Sequence, residues 1–315
     1  MSMLFGKYTF TCRFESNAIL PVFKGSTLRG VFGLALKRVV CALKQQTCDE
    51  CPLRTHCLYT QIFETDLAFG KPQKGNVSAQ PHPFVIVPPL TEKTDYSPGE
   101  EFSCDLILFG EFNQKLPYFI YAFQQMGRIG IGKKINGCRS RFSLQSVATE
   151  SQKIYTADDD KIYPQKEKQY LSIPENLVET DDEISVRITF ETPFRSKYKI
   201  YPANGMSFDT LARTMTRRMT ALLNAYGAGE PAIDYSGLIQ AAEGIQLKEH
   251  RLNWFDWQRF SNRQHQRMPM GGITGYATYN GKMNRFWKLI EFCINTHIGK
   301  QTAFGLGKIN AELLA

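Results

Sequence analysis

The chain repeats itself, and this constrains its fold more than any other property. Residues 286–312 read FWKLIEFCINTHIGKQTAFGLGKINAE, and residues 119–148 read FIYAFQQMGRIGIGKKINGCRSRFSLQSVA. In both, an apolar helical run ends at glycine, a basic glycine-rich turn follows, and an alternating strand closes the unit. The openings match too. A strand with a charged edge (Tyr8–Phe14; Ile184–Phe190) precedes an apolar helix studded with Arg and Lys, 26–44 and 208–225. Self-similarity on this scale predicts a tandem duplication, with strand, basic helix, hairpin region, helix, turn and strand occurring twice.

Length agrees, since 315 residues fit two domains on the usual prior of roughly 150 each. No run of 18 apolar residues exists, and the N-terminal MSMLFGKYTF has neither a basic n-region nor an apolar h-region. The expectation is a cytoplasmic protein without a membrane span. Charge is distributed in blocks. Residues 1–146 hold 17 Lys and Arg against 11 Asp and Glu, residues 147–182 hold 4 against 9, and residues 183–315 hold 17 against 10. The acidic middle block, with few apolar residues, reads as a linker between domains 1–146 and 183–315. Two basic halves point to a polyanionic partner.

Four of the eight cysteines crowd together as Cys41, Cys48, Cys51 and Cys57. Thiolates spaced C-x2-C clasp an ion from a tight turn, and two flanking ones complete a tetrahedron, so a structural zinc is expected. An iron–sulfur cluster is the alternative, because thiolates alone do not separate the two. Four thiolates leave no open coordination position, which excludes a catalytic metal there. Cys12, Cys104, Cys138 and Cys293 sit in apolar runs and read as core residues.

In 26–44 the residues Leu28, Val31, Phe32, Ala35, Leu36, Val39 and Leu43 form one helical stripe, with Ser26 as the N-cap. Arg29 and Lys37 lie on another face. The counterpart FDTLARTMTRRMTALLNAYG pairs Arg213 with Arg217 in the same way and ends at Gly227. A basic face present in both repeats suggests use rather than mere solvation. Residues 254–281 interleave Trp254, Phe255, Trp257 and Phe260 with Arg259, Arg263 and Arg267. Aromatics that stack on splayed bases, beside guanidinium groups that grip phosphates, suit RNA. Trp254 and Trp257 are expected to anchor the core. Finally, HIGKQTAFGLGK (297–308) is not a Walker loop, since Lys308 is followed by Ile309. Backbone N–H groups at Gly299, Gly305 and Gly307 between Lys300 and Lys308 instead make an anion cradle.

Together FKGSTLRGVFGLALKRVVC with its CDECPLRTHCLYTQIFE insert, RFSNRQHQRMPMGGITGYATYNG and the terminal HIGKQTAFGLGK resemble the CRISPR-associated precursor-crRNA-processing endoribonucleases of the RAMP superfamily. The resemblance covers most of the chain. It implies an α+β fold of two tandem ferredoxin-like (βαββαβ) domains. It also implies binding of CRISPR repeat RNA, within or outside an effector complex, and its cleavage without a catalytic metal. In that chemistry the ribose 2′-OH attacks the adjacent phosphate, leaving a 2′,3′-cyclic phosphate and a 5′-OH.

The reaction needs a base, an acid and cations on the crowded phosphate. Histidine, with a pKa of about 6.5, is the natural proton carrier. Family members often carry one on or just after the first helix, yet residues 26–44 contain none. The order of candidates is His297 beside the cradle, then His56 in the cysteine insert, then His265 among the arginines; His82 and His250 have weaker settings. Lys37 and Arg38 with the loop lysines could form a slower, histidine-free site. The rival reading is a non-catalytic RAMP subunit that carries repeat RNA, favoured by the missing first-helix histidine. A generic RNA-recognition module is disfavoured because no RNP1-like motif is present.

Overall fold

The computed structural model describes residues 1–71, 80–174, 181–198, 202–261 and 266–314. The chain divides into two compact units, one over Met3–Tyr170 and the other over Leu171–Ala315 with Met1–Ser2.

The first unit is built on β1 (Ser2–Phe14), α1 (Gly25–Val40), β2 (Phe84–Val87), β3 (Glu101–Phe109), α2 (Leu116–Ile129) and β4 (Phe142–Ala148). These strands lie in the order β4-β1-β3-β2, and each adjacent pair is antiparallel. Alternation along β1 explains its placement: Tyr8, Phe10, Cys12 and Phe14 point inward, while Arg13 stays exposed. The helices cover that inner face through aromatic contacts. Phe32 of α1 lies 5.7 Å from Phe119 and 5.4 Å from Phe123 on α2, and Phe123 lies 4.2 Å from Phe10. Burying each such ring contributes roughly 1.5–3 kcal/mol.

The second unit contains β5 (Ile184–Phe194), α3 (Phe208–Tyr226), β6 (Gln246–Phe255), β7 (Gly272–Gly281), α4 (Trp287–Thr296) and β8 (Ile309–Leu314). Its sheet order is β8-β5-β7-β6, again antiparallel. Each unit therefore places its fourth strand, then first, third and second. Val186, Ile188 and Phe190 face the helices, and Phe208 packs edge-on against Tyr279 at 5.1 Å and Phe286 at 4.9 Å. A short hairpin, Gln258–Ser261 with Gln266–Pro269, lies between β6 and β7.

Several expectations are corrected. The segment 147–182 is not linker throughout. Lys153–Thr156 pairs with β4, and Lys161–Ile162 pairs with Lys153–Thr156 in turn, so the first unit runs to Tyr170. Ile154 and Tyr155 provide the reason, because both are buried. The first helix begins at Gly25, and Ser26 does not cap it. Cys12, Cys104 and Cys293 are buried as expected, whereas Cys138 is exposed on a hairpin. Trp254 is 54% exposed and does not anchor the core. Among the described residues, no helix is long and apolar enough to cross a membrane.

Candidate functional site

Helix α1 turns Leu28, Val31, Phe32, Ala35 and Leu36 into the core, which leaves its other face outward. A cleft of roughly 470 Å³ on that face is lined by Leu34, Lys37, Arg38, Cys41 and Lys44, with no carboxylate among them. Arg38 and Lys44 are exposed and Lys37 is half-buried, its Nζ 5.3 Å from the centre of the Tyr59 ring. Lys37 and Arg38 occupy the last turn of the helix, where cations offset the negative end of its dipole. They are thus held by local electrostatics and still face solvent.

Arg29 does not belong to this surface. Its guanidinium lies over Phe63 at 5.0 Å and near Phe84 at 6.0 Å, and it donates from Nη2 to Nε2 of His82 at 3.3 Å. A guanidinium has no acceptor, so that His82 nitrogen carries no proton, and Nδ1–H donates to the Ile62 carbonyl at 2.9 Å. Arg29 fastens the helix to the chain that follows it. This pairing across 53 residues has no local sequence signature.

All four cysteines of the insert are half-buried. Among the described residues, no group of three or more thiol, imidazole or carboxylate side chains is gathered at one point. Burial pushes the Cys48 thiol up, and the Lys37 ammonium opposes that shift without overcoming it. His56 is exposed on this insert, where its backbone N–H donates to the Leu53 carbonyl at 3.0 Å.

The glycine-rich loop of the second unit is held mainly by its own backbone. The Ile298 N–H donates to Gly307 O, Lys300 N–H to Arg195 O, Gly307 N–H to Pro193 O, and Lys308 N–H to Thr192 Oγ1, at 2.8 to 3.1 Å. Of the three glycine donors expected to form the cradle, Gly307 is thus taken up, and the Gly305 N–H donates to the Thr302 carbonyl at 2.7 Å, so the loop does not present all three to an anion. Gly305 and Gly307 are buried and Gly299 is half-buried. Gly307 has φ +70, and a side chain there would drive into the Ile298 carbonyl. Gly307 and Gly299 thus serve close backbone crossings, at the Ile298 and Arg195 carbonyls. Lys308 is paired with Glu191 at 2.7 Å, whereas Lys300 is exposed.

His297, the first-ranked proton carrier, is 1% exposed. Its Nδ1–H donates to the Leu306 carbonyl at 3.1 Å, and burial pushes its pKa down to about 3. A neutral imidazole sealed inside the unit does not exchange protons with a bound polymer; its role is structural. His250 is half-buried on β6. The remaining basic positions also separate. Arg213 is bound to Asp209 at 3.5 Å and Glu243 at 3.1 Å, and Arg217 is half-buried. Arg263 and His265 lie outside the described residues, as do the side chains of Arg259 and Arg267.

Comparison with known proteins gives consistent results. Residues 188–309 match the family model of the CRISPR-associated endoribonuclease Cas6. Residues 3–169 match a family model described as an N-terminal domain. An uncharacterized protein of Archaeoglobus fulgidus is 26% identical over 265 residues, covering 83% of this chain and 81% of that protein. Among solved structures, a Cas6 product complex aligns over 99% of this chain and 100% of its own at 15% identity and TM-score 0.54. Cas6 of Thermus thermophilus aligns over 98% of this chain and 99% of its own at 14% identity and TM-score 0.52. At these identities the structural likeness concerns the fold.

Proposed function

We propose that this chain, whose residues 188–309 match the CRISPR-associated endoribonuclease Cas6, acts as an endoribonuclease of that CRISPR-associated kind. The two units with one shared strand order are read as tandem ferredoxin-like domains, and the protein as one that binds CRISPR repeat RNA and cuts it. The observation that carries this reading is the cleft on α1, where Lys37, Arg38 and Lys44 lie together and no carboxylate is among the described lining residues. A pentavalent phosphate bears extra negative charge, and cations held beside it lower the barrier.

The proposed chemistry is attack of the 2′-OH on the adjacent phosphate. One group accepts the hydroxyl proton while another donates to the departing 5′ oxygen, leaving a 2′,3′-cyclic phosphate and a 5′-OH. His56, exposed on the segment after the helix, is assigned to proton transfer, and Lys37 and Arg38 to the phosphate. Incubating the protein with a labelled repeat RNA in EDTA tests the chemistry. Cyclic-phosphate ends support it; retention without cutting establishes instead the RNA carrier that the histidine-free first helix favours. Structural zinc on Cys41, Cys48, Cys51 and Cys57 enters this reading on their spacing alone. One zinc per chain, absent from Cys48→Ser/Cys51→Ser, supports it, and a metal-free wild type removes it.

A further inference from the structure

The first unit carries its own counterpart of the glycine-rich basic turn, and no role above uses it. No acidic residue lies between Glu111 and Glu150, while Lys115, Arg128, Lys133, Lys134, Arg139 and Arg141 fall in that interval. Arg128, Lys133, Lys134 and Arg141 are exposed and Arg139 is half-exposed. None of them forms an ion pair among the described residues, in contrast to Lys308, which Glu191 neutralises. Asp160, which reaches α2, is bonded to Tyr155 at 3.0 Å and to Gln124 at 3.3 Å.

The turn is a rigid arm. Ile131–Ile135 pairs with Cys138–Ser140, and Asn136 and Gly137 both have positive φ, at 49 and 82, as a two-residue hairpin turn requires. Ser140 Oγ donates to the Asn17 carbonyl, and Gly132, at φ +81, lies against the Ile19 carbonyl. These contacts fix the base of the hairpin and leave Lys133 and Lys134 projecting. On the preceding helix, Tyr118 and Tyr121 are 50% and 49% exposed. They are three residues apart, and Arg128 follows Tyr121 by seven, so the three share one helix face.

We infer that this arm and helix face form a second RNA-binding surface, on which the cations hold the sugar–phosphate backbone and the two tyrosines stack on unpaired bases. The occupant follows from chemistry: unneutralised cations select a polyanion, and solvent-facing aromatic rings beside them select one with exposed bases. The inference rests on the reading of the protein as RNA-binding, and deepens it by placing part of the affinity here.

The test is fluorescence anisotropy on the full chain with a CRISPR repeat RNA bearing an unpaired flank, over a salt series. Lys133→Ala/Lys134→Ala should weaken binding several-fold and flatten the log–log salt slope by about 0.7 to 0.9 for each phosphate no longer neutralised. Arg128→Gln, on the helix, is an independent variant should the hairpin fail to fold. Tyr118→Ala/Tyr121→Ala should weaken the flanked RNA more than a repeat trimmed of its flank. A wild type that binds no RNA overturns the functional reading itself. A wild type that binds, with affinity and slope unchanged in all three variants, overturns this inference alone. Tighter wild-type retention on phosphatidylserine vesicles than on RNA would assign the surface to a membrane and overturn it as well.

Discussion

Arg218 of α3 donates from Nη2 to the carbonyl of Thr296 at 2.8 Å, and from Nε to the carbonyls of Thr296 and His297 at 3.2 and 3.1 Å. The guanidinium thus satisfies the last carbonyls of α4, the negative end of that helix, at the point where the glycine-rich loop begins. Burial lowers its pKa to about 10, so it stays charged at neutral pH. His297 occupies φ +58, ψ 158, a conformation rarely adopted by side-chain-bearing residues, and the hydrogen bonds on either side hold it there.

Replacing that fork should therefore loosen the loop. Arg218→Met should destabilise the second unit by about 2–3 kcal/mol, because carbonyls that bonded a charged donor are left without it. Urea unfolding measures this, and a change below about 0.5 kcal/mol would show that water replaces the guanidinium freely.

Burial of His297 predicts a pH dependence of defined sign. Its folded pKa, about 3, lies below the ordinary 6.5. Below about 6.5 the unfolded chain takes up a proton that the folded chain refuses. The stabilising contribution is complete above that pH and is lost as pH falls toward 3, by up to about 1.4 kcal/mol per pH unit. His297→Gln should remove this component. Unfolding curves between pH 7 and 5 with equal slopes for both proteins would contradict the assignment.

Lys300 and Lys308 belong to one loop yet should behave differently. Lys300→Ala should lower RNA affinity and flatten its salt slope by about 0.7 to 0.9. Lys308→Gln should change the slope little, because Glu191 already balances that charge. Equal effects on the slope would mean that the Glu191 pair opens when RNA binds.

The succession of strands and helices was readable in the sequence because alternation in β1 and β5, the apolar stripes of α1 and α3, and the glycine stops are all local patterns. The functional surface was less so. Arg29 and Arg38 are both cations of α1, and what takes Arg29 out of the surface is its contact with Phe63, Phe84 and His82, brought in from distant segments. His297 beside two lysines resembles a catalytic group until its burial and its hydrogen bond to the Leu306 carbonyl are seen. The glycines of 299–307 suggested an open cradle, whereas the pairing of that loop with Pro193 and Arg195 of β5 and its exit consumes the donors of Gly307 and Lys300. Burial and remote pairing decide each case, and neither has a spacing to read.

Single-turnover cleavage of repeat RNA in EDTA by the wild type, His56→Ala and His297→Gln tests the central assignment most directly. His56→Ala should slow cleavage by about 10²-fold or more, the usual scale for losing one proton-transfer group, with RNA affinity little changed. His297→Gln, assayed where it is folded, should cut at close to the wild-type rate. A wild-type rate in His56→Ala together with loss of cleavage in folded His297→Gln would place the chemistry at the glycine-rich loop and contradict the account.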